Sequence, residues 1–225
     1  MRIVSLVPSA TETLSAWGVE PIACTRFCER PDLPHVGGTK NPDIAEIVAL
    51  APDLVVVDRE ENRREDAEAL VAAGVDLVVL DVRSIDRLAD ELAVLAHAVG
   101  VPAPGPVDER VESLGLSAFV PIWRRPWMTI GDDTFGASVL RRIGVHNVCG
   151  AVGGDYPTVE LADVAALAPD VVLVPSEPYD FTDAHLAELA AVARPIRVDG
   201  QDLFWWGART PDAVRRLHAR LLEVV

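Results

Sequence analysis

Ala49-Leu50-Ala51-Pro52-Asp53-Leu54-Val55-Val56-Val57 returns later in the same chain as Ala166-Leu167-Ala168-Pro169-Asp170-Val171-Val172-Leu173-Val174. Each copy follows an acidic amphipathic stretch, residues 43–48 and 160–164. Each then leads through a polar loop and a helical stretch to a short apolar segment ending in Asp, residues 77–81 and 195–199. The apolar run after Pro-Asp does not alternate, which is the pattern of a parallel strand covered on both faces. Helix, proline-marked turn and buried strand, repeated, predict an α/β protein of two pseudo-repeated βαβ lobes with parallel sheets. Two lobes on one plan also predict a cleft between them, where a small ligand is expected.

Working outward, residues 1–83 form the expected N-terminal lobe, 84–116 a helical linker, and 117–225 a C-terminal lobe with a closing helix. Residues 3–7 read as the first strand. Ser9 and Glu12 read as a capping box at the start of the helix that ends near Gly18. Trp17, one residue before that end, is expected in the core. Residues 84–99 carry Ile85, Leu88, Leu92, Leu95 and Val99 on one stripe and predict an amphipathic helix. Pro102, Pro104 and Pro106 break it, and a short helix is expected over 107–114. The last helix is expected over 210–225, with Thr210 as its cap and Pro211 at its first position.

The chain has 225 residues and a net charge of −15, with a pI near 4.6, which argues against nucleic acid or an anionic membrane as partner. No apolar run approaches the roughly 18 to 20 residues of a membrane span, so no membrane insertion is expected. The N-terminus runs straight into a strand with no signal-peptide pattern, so a cytoplasmic protein is expected. Cys24, Cys28 and Cys149 are odd in number and suit reduced thiols better than a disulfide framework. Lys40 is the only lysine beside 19 arginines, which suggests a GC-rich coding bias and makes Lys40 a mild exception.

No enzyme motif is present. The glycine pairs Gly37-Gly38 and Gly153-Gly154 lack the spacing and the Lys-Ser/Thr of a phosphate loop, and there is no Gly-x-Ser-x-Gly elbow. The five histidines are scattered, and Cys24-x3-Cys28 has no second Cys/His pair to complete a zinc site. The informative residues lie in loops after the strands, the rim where open α/β sheets bind ligands. Phe27, the segment Asp58-Arg59-Glu60-Glu61-Asn62-Arg63, and Arg83 follow strands of the first lobe. Glu177 and Phe181, then Asp202, Phe204, Trp205, Trp206 and Arg209, hold the matching places in the second. Arginine there can pair with an anionic ligand group or stack on a ring. Trp123 and Trp127 either pack or touch ligand.

Three segments resemble a known family: Arg2-Ile3-Val4-Ser5-Leu6-Val7-Pro8-Ser9-Ala10-Thr11-Glu12, the doubled Ala-Leu-Ala-Pro-Asp, and Gly131-Asp132-Asp133-Thr134-Phe135 before a helix ending in Gly-Val. The family is that of the helical-backbone metal receptors, the substrate-binding proteins of cobalamin, haem and ferric-siderophore importers. Lys40-Asn41-Pro42 and Arg59-Glu60-Glu61-Asn62-Arg63 look like its signal-less, cobalamin-binding-like branch. The resemblance implies a class III periplasmic-binding-protein-like fold, a metal chelate (cobalamin or another corrinoid first) held between the lobes, and no catalysis or resident cofactor. It also implies an ABC permease–ATPase as partner. The docking glutamates of that family fall on Ala45 and Ala162 here, with Glu46 and Asp163 one residue away. Phe27 matches an aromatic that stacks on the corrin, whereas Thr39 and Asp58 stand where tryptophans are expected. With Ser9, Lys40, Arg59, Trp127 and Asp132, these residues complete the candidate ligand-binding set. Ferric siderophore or haem is the alternative cargo. The rival class is a cytosolic enzyme acting on a small anionic substrate, with Asp58, Glu177 or Asp202 as general base, and a ligand-sensing regulatory module is the third.

Overall fold

The computed structural model describes residues 1–224. Its elements run β1 (Ile3–Ser5), α1 (Pro8–Ala16), β2 (Ala23–Cys24), β3 (Gly37–Gly38), β4 (Asn41–Pro42), α2 (Ile44–Ala49), β5 (Leu54–Asp58), α3 (Arg64–Ala72), β6 (Leu77–Leu80) and α4 (Ile85–Val99). Then follow β7 (Leu116–Phe119), β8 (Pro121–Trp123), β9 (Met128–Thr129), α5 (Phe135–Arg142), β10 (Val145–Asn147), α6 (Leu161–Ala166), β11 (Val171–Pro175), α7 (Asp183–Leu189), β12 (Arg194–Val198), α8 (Gly200–Phe204) and α9 (Thr210–Leu222). Met1–Val82, Asp86–Pro106 and Trp206–Ala208 form one compact unit. Arg83–Ile85, Val107–Trp205 and the chain from Arg209 onward form the other.

Each unit has one four-stranded, all-parallel sheet, ordered β2-β1-β5-β6 in the first and β10-β7-β11-β12 in the second. The two orders are the same once strands are matched by position, and the repeated sequence supplies the same inner strand, β5 or β11. Every residue of both strands is buried, as their unbroken apolar run predicts. Around β5 pack Val4, Leu6, Ile47, Val55, Val57 and Leu70; around β11 pack Phe119, Val164, Val172, Val174, Phe181 and Leu189.

The repeated Pro-Asp has a physical role that is the same in both copies. Asp53 Oδ2 accepts the Arg2 amide at 2.6 Å, and the Asp53 amide returns a bond to the Arg2 carbonyl at 2.8 Å. Asp170 Oδ2 accepts the Ser117 amide at 2.7 Å, and its own amide donates to the Ser117 carbonyl at 3.0 Å. Each aspartate thus registers its strand against the first strand of its unit. The alanine before each proline turns left-handed, Ala51 at φ 45° and Ala168 at φ 49°. Proline's ring disfavours the right-handed helical region for the residue before it, so the helix ends there.

Several expectations need correction. Pro8 pre-sets the helical φ at the first position, so α1 starts two residues early with Val7 as its cap. Ser9 is therefore buried inside the first turn and caps nothing. Trp17 is half-buried rather than core. Thr210 opens α9 as a helical residue, with Arg209 before it, and the expected end at Val225 lies outside the described residues. Residues 121–129 form the antiparallel pair β8–β9.

The linker is helical only through Val99; Gly100 follows at φ 76°, and residues 102–115 carry no regular structure. The helix expected over 107–114 does not form. Side chains take up that segment's acceptors instead: Arg142 Nη1 donates to the Val107 carbonyl at 2.9 Å and His218 Nε2 bonds the Glu112 carbonyl at 2.7 Å. Arg215 pairs with the Glu109 carboxylate.

Candidate functional site

In the first unit, the carboxyl ends of β1, β2, β5 and β6 carry the rim. Asp58 ends β5 and is 2% exposed. Its Oδ1 accepts the Glu60 amide at 2.8 Å and the Glu61 amide at 3.3 Å, and its Oδ2 accepts the Val82 amide at 3.4 Å. Burial pushes its pKa up, against the pull of those amides. Asn62, buried beside it, accepts the Asp58 amide at 2.8 Å and donates to the Leu6 carbonyl at 3.2 Å and the Thr39 carbonyl at 3.0 Å. Lys40 Nζ donates to the Glu60 carbonyl. Two loops are thereby stitched together, with Thr39 half-buried and Lys40 and Arg59 exposed.

Phe27 stands on this rim at 50% exposure. The Arg26 guanidinium lies 4.9 Å from its ring centroid. Gly38 lies against the ring, where an added Cβ would come within 3.1 Å of Phe27 and 2.6 Å of the Asn41 side-chain oxygen. Glycine is needed there for that close approach.

In the second unit, Glu177 Oε1 accepts the Trp205 indole N–H at 2.7 Å, and the Arg209 guanidinium sits 5.3 Å from the Trp205 ring centroid. Gly200 permits this, because a Cβ there would meet Glu177 at 2.5 Å. Asp202 is buried and held two-pronged by Arg216, at 2.8 and 2.5 Å. Phe204 packs over Gly136 of α5. Arg83 pairs with Asp155 at 2.8 Å. Asp132 is exposed and lines a surface hollow of about 260 Å³ with Arg141, His146 and Asn147.

Within each unit, the rim leaves some of the sequence-predicted residues open and buries others. Phe27, Lys40, Arg59, Trp205, Arg209 and Glu177 lie at loop surfaces or partly open. Phe181 is 2% exposed and lies parallel to Trp127 at 6.1 Å, in the core of its unit. Trp206 is 4% exposed and belongs to the first unit, apart from Trp205. Ser9, Asp58, Phe181, Asp202 and Trp206 are thus structural rather than open to ligand. The general-base reading of Asp58 and Asp202 meets the same objection, since one faces backbone amides and the other a guanidinium. In the sequence, only its spacing four residues after Asp58 marks Asn62 for this bridging role.

Among the described residues, no His, Cys, Asp and Glu cluster of three or more is gathered for a metal, and no helix is long and apolar enough to cross a membrane. Residues 3–105 match the family described as Periplasmic binding protein. The vitamin B12-binding protein of Salmonella paratyphi A is 27% identical over 192 residues, covering 77% of this chain and 71% of its own. That of Yersinia pestis Pestoides F is 23% identical over 229 residues, covering 93% and 81%. The first half of the chain is thus similar to the periplasmic binding proteins. Among solved structures, the Vibrio cholerae periplasmic vitamin B12 binding protein BtuF matches with TM-score 0.77 and 21% identity, covering 99% of this chain and 96% of that one. The periplasmic haem-binding protein BhuT, in complex with two hemes, matches with TM-score 0.80 and 22% identity over 99% and 98%. The fold of this chain is therefore of the class III periplasmic-binding-protein type.

Proposed function

We propose that this protein binds a planar metal chelate through loops at the carboxyl ends of its strands, cobalamin or another corrinoid first, and performs no chemistry on it. The observation that carries the proposal is Phe27: a half-exposed ring, backed by glycine and Arg26, in a chain whose relatives include vitamin B12-binding proteins. An aromatic ring is large and costs little rotamer entropy to fix, so leaving half of it in water suits a surface that a flat ligand will cover. Trp205, oriented by Glu177 and Arg209, is a second such ring.

Haem is the second reading, favoured by the exposed Arg26 beside Phe27, which suits the carboxylates that a porphyrin carries and a corrinoid's amides do not require. A ferric siderophore is the third. Titration with cobalamin, cobinamide, hemin and a ferric siderophore, followed by tryptophan fluorescence, separates them. We expect saturable quenching by cobalamin or cobinamide, weakened by about 1 to 3 kcal/mol in Phe27→Ala and in Trp205→Ala, by analogy with base–aromatic stacking. Saturation by hemin alone would move the assignment to haem. No saturable response to any of the four would remove the chelate reading.

A further inference from the structure

The rim of the first unit also holds a cluster of sulfur and hydroxyl groups that ligand binding does not use. β2 ends at Cys24, and the chain then turns tightly, the Cys28 amide donating to the Thr25 carbonyl at 3.1 Å. The turn returns the Cys28 sulfur to within 3.1 Å of the Thr25 hydroxyl and 3.2 Å of the Thr11 hydroxyl on α1. Cys24, four residues earlier at the end of the strand, interacts electrostatically with that same sulfur. All three cysteines are unpaired as disulfides, and Cys149 lies in the other unit.

We propose that Cys24 and Cys28 form a peroxide-reactive dithiol, with Cys28 the attacking sulfur and Cys24 the resolving one. The Cys28 thiolate attacks one peroxide oxygen, the O–O bond breaks, and the departing hydroxide takes a proton to become water. Cys28 is left as a sulfenic acid. Cys24, giving up its proton, attacks the Cys28 sulfur; the S–O bond breaks and the hydroxyl leaves with that proton as a second water. Two thiols and one hydrogen peroxide become one disulfide and two waters.

Electrostatics supports this division of roles. The neighbouring Cys24 thiol, with the hydroxyls of Thr11 and Thr25, outweighs burial and holds the Cys28 pKa below the usual thiol value. The same contact and burial push Cys24 up, and burial raises Cys149 to about 11. Thiolate is the reactive form, so Cys28 is the sulfur poised to react. At 4% exposure it admits a small oxidant such as hydrogen peroxide more readily than a bulky disulfide.

The test needs no ligand, so it can fail independently of the chelate reading. The full chain is treated with hydrogen peroxide, quenched with catalase, unfolded, and its thiols counted. We expect three titratable thiols to fall to one and to return with dithiothreitol. Arg26 separates the two cysteines, so trypsin should release two peptides joined through Cys24 and Cys28 and lighter by two hydrogens. In Cys24→Ser, dimedone should label Cys28; in Cys28→Ser, both remaining thiols should survive. Survival of all three wild-type thiols at a peroxide level that oxidises free cysteine would overturn the proposal. So would oxidation centred on Cys149 in the wild-type peptide map, which decides the matter even if a variant does not fold.

Discussion

Asp58 shows how a residue's chemistry is decided by what surrounds it. A carboxylate ending a buried strand at a ligand-binding rim looks like a ligand contact or a base, yet three backbone amides occupy it. Its pKa is raised by burial, so between the ordinary carboxylate pKa and the raised folded value the native state binds more protons than the unfolded chain. This group's contribution is then fully present below the unfolded pKa and is lost as pH rises through the folded one. In Asp58→Asn that loss is absent. We expect the stability of Asp58→Asn relative to wild type to increase from pH 4 towards neutrality and then level off, measured by urea unfolding at several pH values. A difference that shrinks over that range would mean that the amide bonds, rather than burial, dominate. Phe27, Phe181, Trp205 and Trp206 carry the same lesson. All four sit in polar loop sequence, but only Phe27 and Trp205 keep surface for a ligand, because Phe181 packs into the apolar cluster of its unit and Trp206 is buried.

At the scale of elements, the Ala-Pro-Asp turn is a device that the chain uses twice. Proline ends the helix, the alanine before it goes left-handed, and the aspartate locks the next strand to its neighbour. The aspartate's role is local and polar, which is why the pattern could be found in the sequence. The alanine's strain is different in kind, because L-residues pay roughly 1–2 kcal/mol in this region that glycine avoids. Ala51→Gly and Ala168→Gly should therefore be neutral or stabilising by up to about 1 kcal/mol, since relief of that strain offsets glycine's extra unfolded-state entropy. Urea midpoints of the two single variants check this, and a loss of more than about 1 kcal/mol in both would show the turn to be unstrained. The segment after α4 is the contrary case. Its sequence after Pro106 is compatible with a helix, but distant arginines and a histidine hold it extended.

For the molecule as a whole, the two units repeat one topology, and the repeat brings Ala45 and Ala162 to the second position of α2 and of α6, both exposed. These are the positions where the family resemblance places docking glutamates. Glu46 and Asp163 are exposed next to them, but one residue along a helix turns a side chain by about 100°. With a purified B12 permease–ATPase, we expect Ala45→Glu combined with Ala162→Glu to strengthen association over wild type. Glu46→Ala combined with Asp163→Ala should leave it unchanged. A stable wild-type complex that is lost in the latter pair would show that the neighbouring acids do the docking. Pull-down or light scattering of the reconstituted mixture reads either outcome.

What the amino-acid sequence determined by itself is the duplicated α/β plan: which stretches are buried parallel strands, where proline stops the helices before them, and that the loops after the strands hold the cations and rings. Those properties are written in spacing along the chain, and periodicity and proline act over a few residues. Only the tertiary structure decided which of those rings stay open, which carboxylates are tied down, and that Asn62 knits two loops. The Cys28 sulfur meets a threonine 17 residues earlier, and Arg216 closes on Asp202 from the next helix. Such partners are far apart in sequence, and each group's exposure and ionisation depend on which of them folding brings to it.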